Sequence, residues 1–136
     1  MALLDTTFLI DLMKEAKKRR ADFATLKLDD LIRRGETLRI AVFTIGELYV
    51  GVAKGTQPTR EQGKVERELQ PFDVVPFEAN TARIFGGVVG ALERQGHPIS
   101  DMDALIASVA LENDELLVTR NVRHFQRVSR LRVEGY

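Results

Sequence analysis

Apolar residues recur with two different periods along the chain, and their alternation predicts the elements. Ala2-Leu3-Leu4 is a short apolar run of the kind found in a buried strand, and Phe8, Leu9, Leu12 and Met13 then recur at helical spacing. Asp22 to Arg34 repeats the helical pattern, with Phe23, Leu26, Leu31 and Ile32 on one side and Gly35 where a helix would stop. Leu38 to Phe43 has the nearly continuous apolar content of a buried strand. After Thr44, the residues Ile45, Leu48, Tyr49 and Val52 mark an amphipathic helix that Gly55 and Pro58 end.

The second half continues the alternation. A charged helix is expected from Thr59 to Gln70, a short strand from Asp73 to Phe77, and a helix from Asn80 to Gln95 with Phe85, Val88, Val89 and Leu92 on one stripe. Gly86, Gly87 and Gly90 inside that helix cost propensity, up to ~1 kcal/mol each, so close packing by another backbone is expected there, within the monomer or across a dimer. Gly96 and Pro98 end it. A helix from Asp101 to Asn113, buried along Met102, Leu105, Ile106 and Val109, leads to a strand at Leu116–Thr119 and a last one at Leu131–Val133. Strands alternating with helices, over connections too long for hairpins, imply an α/β fold: a parallel sheet with helices on both faces.

Length and composition narrow the picture. At 136 residues, 44% hydrophobic and 29% charged, the chain is expected to fold as one domain, 1–136, rather than remain disordered. Twenty basic and 20 acidic residues cancel, so a polyanion would have to meet local patches. Two exist: Lys14 to Arg20, with five basic residues against one acid, and Arg120 to Arg132, with five arginines and no acid. The Lys17–Arg20 run reads first as a solvated helix face, with contact to a protein partner as the other reading. Cysteine is absent, which removes disulfides, a thiol nucleophile and thiolate metal sites and fits a reducing compartment, so the cytoplasm is expected. The acid-interrupted N-terminus is expected to be neither a signal peptide nor a membrane span. No phosphate-binding loop is present, since Gly51 to Thr56 lacks the required spacing.

Sites in open α/β sheets form outside the carboxyl ends of the strands, so the residues standing there matter most. Asp5 follows the first strand, and Thr44 ends the second with Glu47 one turn further on. Asp103 lies in the first turn of its helix, and Thr119, Arg120 and Asn121 follow the Leu116 strand. Asp5, Glu47 and Asp103 would converge as three carboxylates, a cluster under strain unless a cation occupies it. Oxygen-only ligands select Mg²⁺ or Mn²⁺ over zinc. Such an ion can activate water and neutralise a phosphodiester oxyanion.

The stretches LLDTTFLIDL, FTIGELYVGVAKG, ISDMDALIASVAL and LLVTRNVRHFQRV, in this order and spacing, resemble the PIN-domain nucleases, in particular the VapC-type toxins of toxin–antitoxin pairs. The resemblance spans essentially the whole chain. It implies a PIN-like fold and a Mg²⁺- or Mn²⁺-dependent endoribonuclease acting on RNA of the tRNA or rRNA class, a homodimer restrained by a VapB-type antitoxin. Asp5, Glu47 and Asp103 match the family's first three acids. Asp103 is preferred to Asp101 because the family's acid directly precedes two variable residues and Ile-Ala, here Asp103-Ala104-Leu105-Ile106-Ala107. Asn121 stands where the family often carries a fourth acid, which bears on whether a second metal binds.

Each residue also has a plainer reading. Asp5 suits a helix-capping turn, Thr44 and Glu47 have the spacing of a capping box, and Ser100 can cap the turn that carries Asp103. Asp101 reads as the N-cap of its helix or as support for the site, together with Thr6, Thr44, Thr119 and Asn121. Asp11, among apolar neighbours, reads as an exposed or salt-bridged helical position rather than a ligand. Arg120 and Arg123 follow the proposed site and can clamp phosphate. His97 reads as a loop residue, and His124 as either an RNA contact, a proton shuttle or a helix surface residue. Two other functions fit the same residues: a non-catalytic PIN-like module that binds RNA or protein, and a stand-alone RNA-processing nuclease.

Overall fold

In the computed structural model, residues 1–14 and 19–136 are described, with side chains for all of these except Arg19 and Arg20. The elements in chain order are β1 (Ala2–Leu4), α1 (Thr6–Met13), α2 (Arg19–Arg33), β2 (Leu38–Ala41), α3 (Val42–Lys54), α4 (Pro58–Leu69), β3 (Asp73–Val75), α5 (Ala79–Arg94), α6 (Asp101–Glu112), β4 (Leu116–Val118), α7 (Val122–Phe125) and β5 (Val133–Glu134). The strands form one sheet in the order β3-β2-β1-β4-β5, with every adjacent pair parallel. β1 is therefore central. Its register sets Ala2 against Leu38 on one side and against Leu116 on the other.

Side chains alternate across the sheet, and each face has its own core. Ala2, Leu4, Ile40 and Val118 point to the side closed by α1, α2, α3 and α4, through Phe8, Leu31, Leu48 and Val65. Leu3, Ala41, Val75 and Leu117 point to the opposite side, closed by Leu92 of α5, Ile106 and Ala110 of α6, and Phe125 of α7. Burial on both faces explains why the central strands β1 and β4 read as unbroken apolar runs. Pro58 opens α4, where its missing N–H costs nothing, and Gly35 and Gly96 take left-handed φ values of 73° and 72° just past α2 and α5.

Four expectations are corrected. Helix α3 starts at Val42, not after Thr44, because β2 ends at Ala41, level with the end of β3 at Val75, and the chain turns at once into the helix. The buried side of α2 carries Ala21, Ala24 and Leu31, while Leu26 and Ile32 lie in solvent. On α5, a side chain at Gly86 or Gly87 would meet nothing, so no backbone of the described residues packs against them. The fourth is the short helix α7, which is not among the predicted elements, although a helix surface position is one reading of His124. The side chains of the basic run Lys17–Arg20 lie outside the described residues. Among the described residues no helix is long and apolar enough to cross a membrane.

Candidate active site

Asp5 is the first residue beyond β1, and its backbone N–H donates to the Val118 carbonyl at 2.9 Å, which ties it to the end of β4. It is the N-terminal boundary residue of α1 but makes no side-chain cap. Its buried carboxylate instead accepts two hydroxyl hydrogens on one oxygen: Thr7 Oγ1 lies 2.8 Å and Thr119 Oγ1 2.7 Å from Asp5 Oδ2. Both threonine donors fall on Oδ2, so Oδ1 is the oxygen left for another partner. Thr7 was not singled out by sequence reasoning. Its signal was a polar residue two positions after an acid at the head of an apolar helix.

Glu47 comes from the second turn of α3, because that helix begins at Val42. The capping box with Thr44 is therefore absent, and the boundary residue is Ala41, which has no side-chain cap. Thr6 donates to Glu47 Oε1 at 2.5 Å and lies 3.3 Å from the buried Thr44 hydroxyl. Burial raises the Glu47 pKa above its ordinary value, the Thr6 hydrogen bond opposes this, and the charges of Asp5 and Asp103 raise it further.

Asp103 stands in the first turn of α6, whose N-cap is Ser100: the Asp103 N–H donates to Ser100 Oγ at 3.1 Å. Asp101 is thus not the cap but the first helical residue, and it is exposed. The Asp103 carboxyl is also raised, first by burial and then by the charge of Asp5, against the opposing effects of Ser100 and His124. His124 Nδ1 of α7 lies 3.7 Å from Asp103 Oδ2.

The structure thus brings Asp5, Glu47 and Asp103 into one electrostatic neighbourhood, since the charge of Asp5 acts on both others. Among the described residues, no group of three or more histidine, aspartate or glutamate side chains stands close enough together to hold a metal ion as it is. The donor set in chemical type nonetheless fits a hard divalent cation: carboxylate oxygens only, with Glu47 and Asp103 raised by burial and by the charge of Asp5, and with Asp5 and Glu47 oriented by Thr6, Thr7 and Thr119.

The remaining residues sort by contact. Thr119 Oγ1 accepts from the Asn121 N–H at 3.0 Å within the 119–121 loop, and Thr7 Oγ1 accepts from the Arg120 N–H at 3.2 Å, so the loop is bonded to the Asp5 carboxylate environment at two points, through Thr119 and Arg120. The Arg120 guanidinium does not point to a free phosphate position; Nη1 is 3.1 Å from each oxygen of Asp11. Arg123 is exposed and makes no ion pair among the described residues. Asp11, expected to be exposed or salt-bridged, is salt-bridged but fully buried.

Residues 2–131 match the PIN domain family. The chain is 30% identical over 107 residues to the ribonuclease VapC2 of Rickettsia felis, covering 79% of this chain and 80% of that one. It is 34% identical over 97 residues to the tRNA(fMet)-specific endonuclease VapC of Shigella flexneri, covering 71% and 74%. Among solved structures, VapBC2 from Rickettsia felis bound to a promoter DNA fragment superposes with a TM-score of 0.88 at 27% identity, over 99% of this chain and 98% of that one. Ribonucleases of this family are in general divalent-metal dependent. A family match along nearly the whole length, relatives at 30% and 34% identity and a shared five-stranded parallel architecture lead to one conclusion: this chain belongs to the PIN-domain family, among its VapC ribonucleases.

Proposed function

We propose that this single-domain protein is an endoribonuclease toxin that hydrolyses RNA phosphodiester bonds and is held in check by a VapB-type antitoxin, with Asp5, Glu47 and Asp103 as its metal-binding and catalytic residues. The observation that carries the reading is the charge of Asp5, at the end of β1, acting on two partly buried carboxylates, Glu47 of α3 and Asp103 of α6. Burial and the charge of Asp5 raise the Glu47 and Asp103 pKa values at a cost to folding, which a cation would relieve. A bound Mg²⁺ or Mn²⁺ would supply the positive charge that activates water and neutralises the phosphodiester oxyanion.

The protein's own groups do the positioning. Thr7 and Thr119 fix the Asp5 carboxyl by one oxygen, leaving the other to bind. Thr6 steers Glu47 and favours its ionised form. The Ser100 cap orders the turn that presents Asp103. Arg123, exposed on α7, would be a contact for RNA phosphates. Asn121 contributes no charge, so the reading takes one ion held by three acids as sufficient.

The names of the relatives point to RNA, of the tRNA class for the Shigella protein, and solved VapBC complexes point to an antitoxin partner. The open glycine face of α5 suits a homodimer contact. The cytoplasm, where tRNA and antitoxin meet, is the compartment this reading takes.

Purified protein free of antitoxin should cut tRNA or total RNA in Mg²⁺ or Mn²⁺ and stop when EDTA is added. The Asp103→Asn variant should keep the fold and lose cleavage. RNA left intact by the wild type after prolonged incubation in Mn²⁺ would favour instead a PIN-like module that binds without cutting, the alternative that Asn121 keeps in view.

A further inference from the structure

Asp11 has no part in the chemistry just described, yet it is the most elaborately paired carboxylate among the described residues. It is fully buried in α1. Lys14 Nζ lies 2.6 Å from Oδ1, Arg120 Nη1 lies 3.1 Å from both oxygens, and the hydroxyl of the C-terminal residue Tyr136 donates to Oδ2 at 2.7 Å. The Tyr136 ring stands edge-on to the buried Phe8, with centroids 5.0 Å apart. Phe8 is one residue beyond Thr7, and Thr7 holds Asp5.

A buried ion cluster is a poor way to gain stability, since apolar side chains of the same volume do as well or better; what it secures is one geometry. The geometry it secures here is that of Arg120. That residue is bonded at both ends: its guanidinium to Asp11, and its backbone N–H to Thr7 Oγ1. Its neighbour Thr119 donates to Asp5, and the Asn121 N–H donates back to Thr119. Holding the Arg120 side chain therefore holds the loop that orients the Asp5 carboxyl.

We infer that Asp11 is a positioning residue for the metal site, acting through Arg120 on Thr119 and Asp5, with Tyr136 closing the network from the C-terminus. The inference rests on the reading of Asp5, Glu47 and Asp103 as the ion-binding acids. It reassigns Arg120, which the sequence offered as a phosphate clamp, to orienting the carboxylate that meets the ion.

The test is Mn²⁺ binding itself, followed by electron paramagnetic resonance of free Mn²⁺ in the absence of RNA, on the full chain. Wild type and Asp103→Asn set the scale. Asp11→Ala, Arg120→Ala, the double variant and Tyr136→Phe follow, each checked for folding by circular dichroism. Outer contacts that orient metal ligands are worth roughly 10- to 100-fold in affinity, so folded Asp11→Ala and Arg120→Ala should each bind Mn²⁺ at least about 10-fold more weakly. The double variant should be no weaker than the worse single one, because both break one chain of contacts. Asp11→Glu should recover part of the loss, which a merely structural defect would not predict.

If Asp11→Ala fails to fold, Arg120→Ala and Tyr136→Phe decide. Tyr136→Phe keeps the ring on Phe8 and removes only the hydroxyl, and about a twofold or greater loss of Mn²⁺ affinity is expected from it. Wild-type affinity in folded Arg120→Ala, or additive losses in the double variant, overturns the inference while leaving the site intact. Wild-type protein that binds no Mn²⁺ overturns the site and the inference together.

Discussion

Thr6 donates its hydroxyl hydrogen to Glu47 Oε1 at 2.5 Å, joining the first turn of α1 to the second turn of α3 across 41 residues of sequence. The contact does two things at once. It fixes the rotamer of a half-buried acid, and it favours the ionised carboxylate against the burial that disfavours it. Thr6→Val should therefore lower kcat/KM for RNA cleavage about 10-fold, the scale of a lost ligand-orienting contact. Thr6→Ser should recover most of it. Unchanged cleavage kinetics in Thr6→Val would remove the contact from the mechanism.

Asp103 carries a cost at neutral pH that a bound cation would relieve. Its folded pKa is raised above 3.8 by burial and by Asp5, so its ionised form disfavours folding. That cost is absent below the ordinary value and complete once the pH exceeds the raised one. At neutral pH and without metal, Asp103→Asn should therefore melt higher than wild type. Saturating Mn²⁺ should raise the wild-type midpoint by about 2.7 kcal/mol worth of stability at 100 times Kd, and leave the variant unmoved. Differential scanning calorimetry with EDTA and with Mn²⁺ checks both halves.

Asp11 behaves oppositely with pH. Burial pushes its pKa up, but hydrogen bonds from Lys14 and Tyr136 and the charges of Arg120 and Lys14 outweigh it, and the folded value lies below 3.8. A depressed carboxyl pKa contributes stability that is present above the unfolded value and lost as the pH falls through the folded one. The stability gap between wild type and Asp11→Asn should thus be full at pH 6–7 and shrink as the pH drops below 3.8. Urea titrations at several pH values measure the gap; a gap that stays constant into strong acid contradicts the assignment.

The glycines of α5 offer a test of packing. A Cβ at Gly86 or Gly87 meets no atom within 4 Å, so Ala there gains helix propensity without a clash. Each substitution should stabilise the isolated chain by about 0.5–1 kcal/mol, read from thermal midpoints at low protein concentration. If the same face closes a homodimer, Gly87→Leu should leave the monomer folded and weaken dimerisation in sedimentation equilibrium.

Much of this protein could be read from residue order alone, because its signals are local. The unbroken apolar runs at Ala2–Leu4 and Leu116–Val118 announce strands buried on both faces, and polar residues directly after them, Asp5 and Thr119, mark the edge where a site forms. The acids Asp5, Glu47 and Asp103 followed from that rule together with the family resemblance. What the sequence could not determine depends on distances between remote segments. Asp11 sits at a helical position that suits the surface, and only the folding of α1 against Tyr136 and the 119–121 loop buries it and assigns Arg120 to it. Likewise, periodicity placed Leu26 and Ile32 on an apolar stripe with Leu31, but α2 docks through Ala21, Ala24 and Leu31, leaving Leu26 and Ile32 in solvent. Local pattern specifies which backbone forms and which residues are apolar. Which face is covered, and which charges meet, is settled by how the helices pack, because burial and pairing energies depend on neighbours that sequence separation does not reveal.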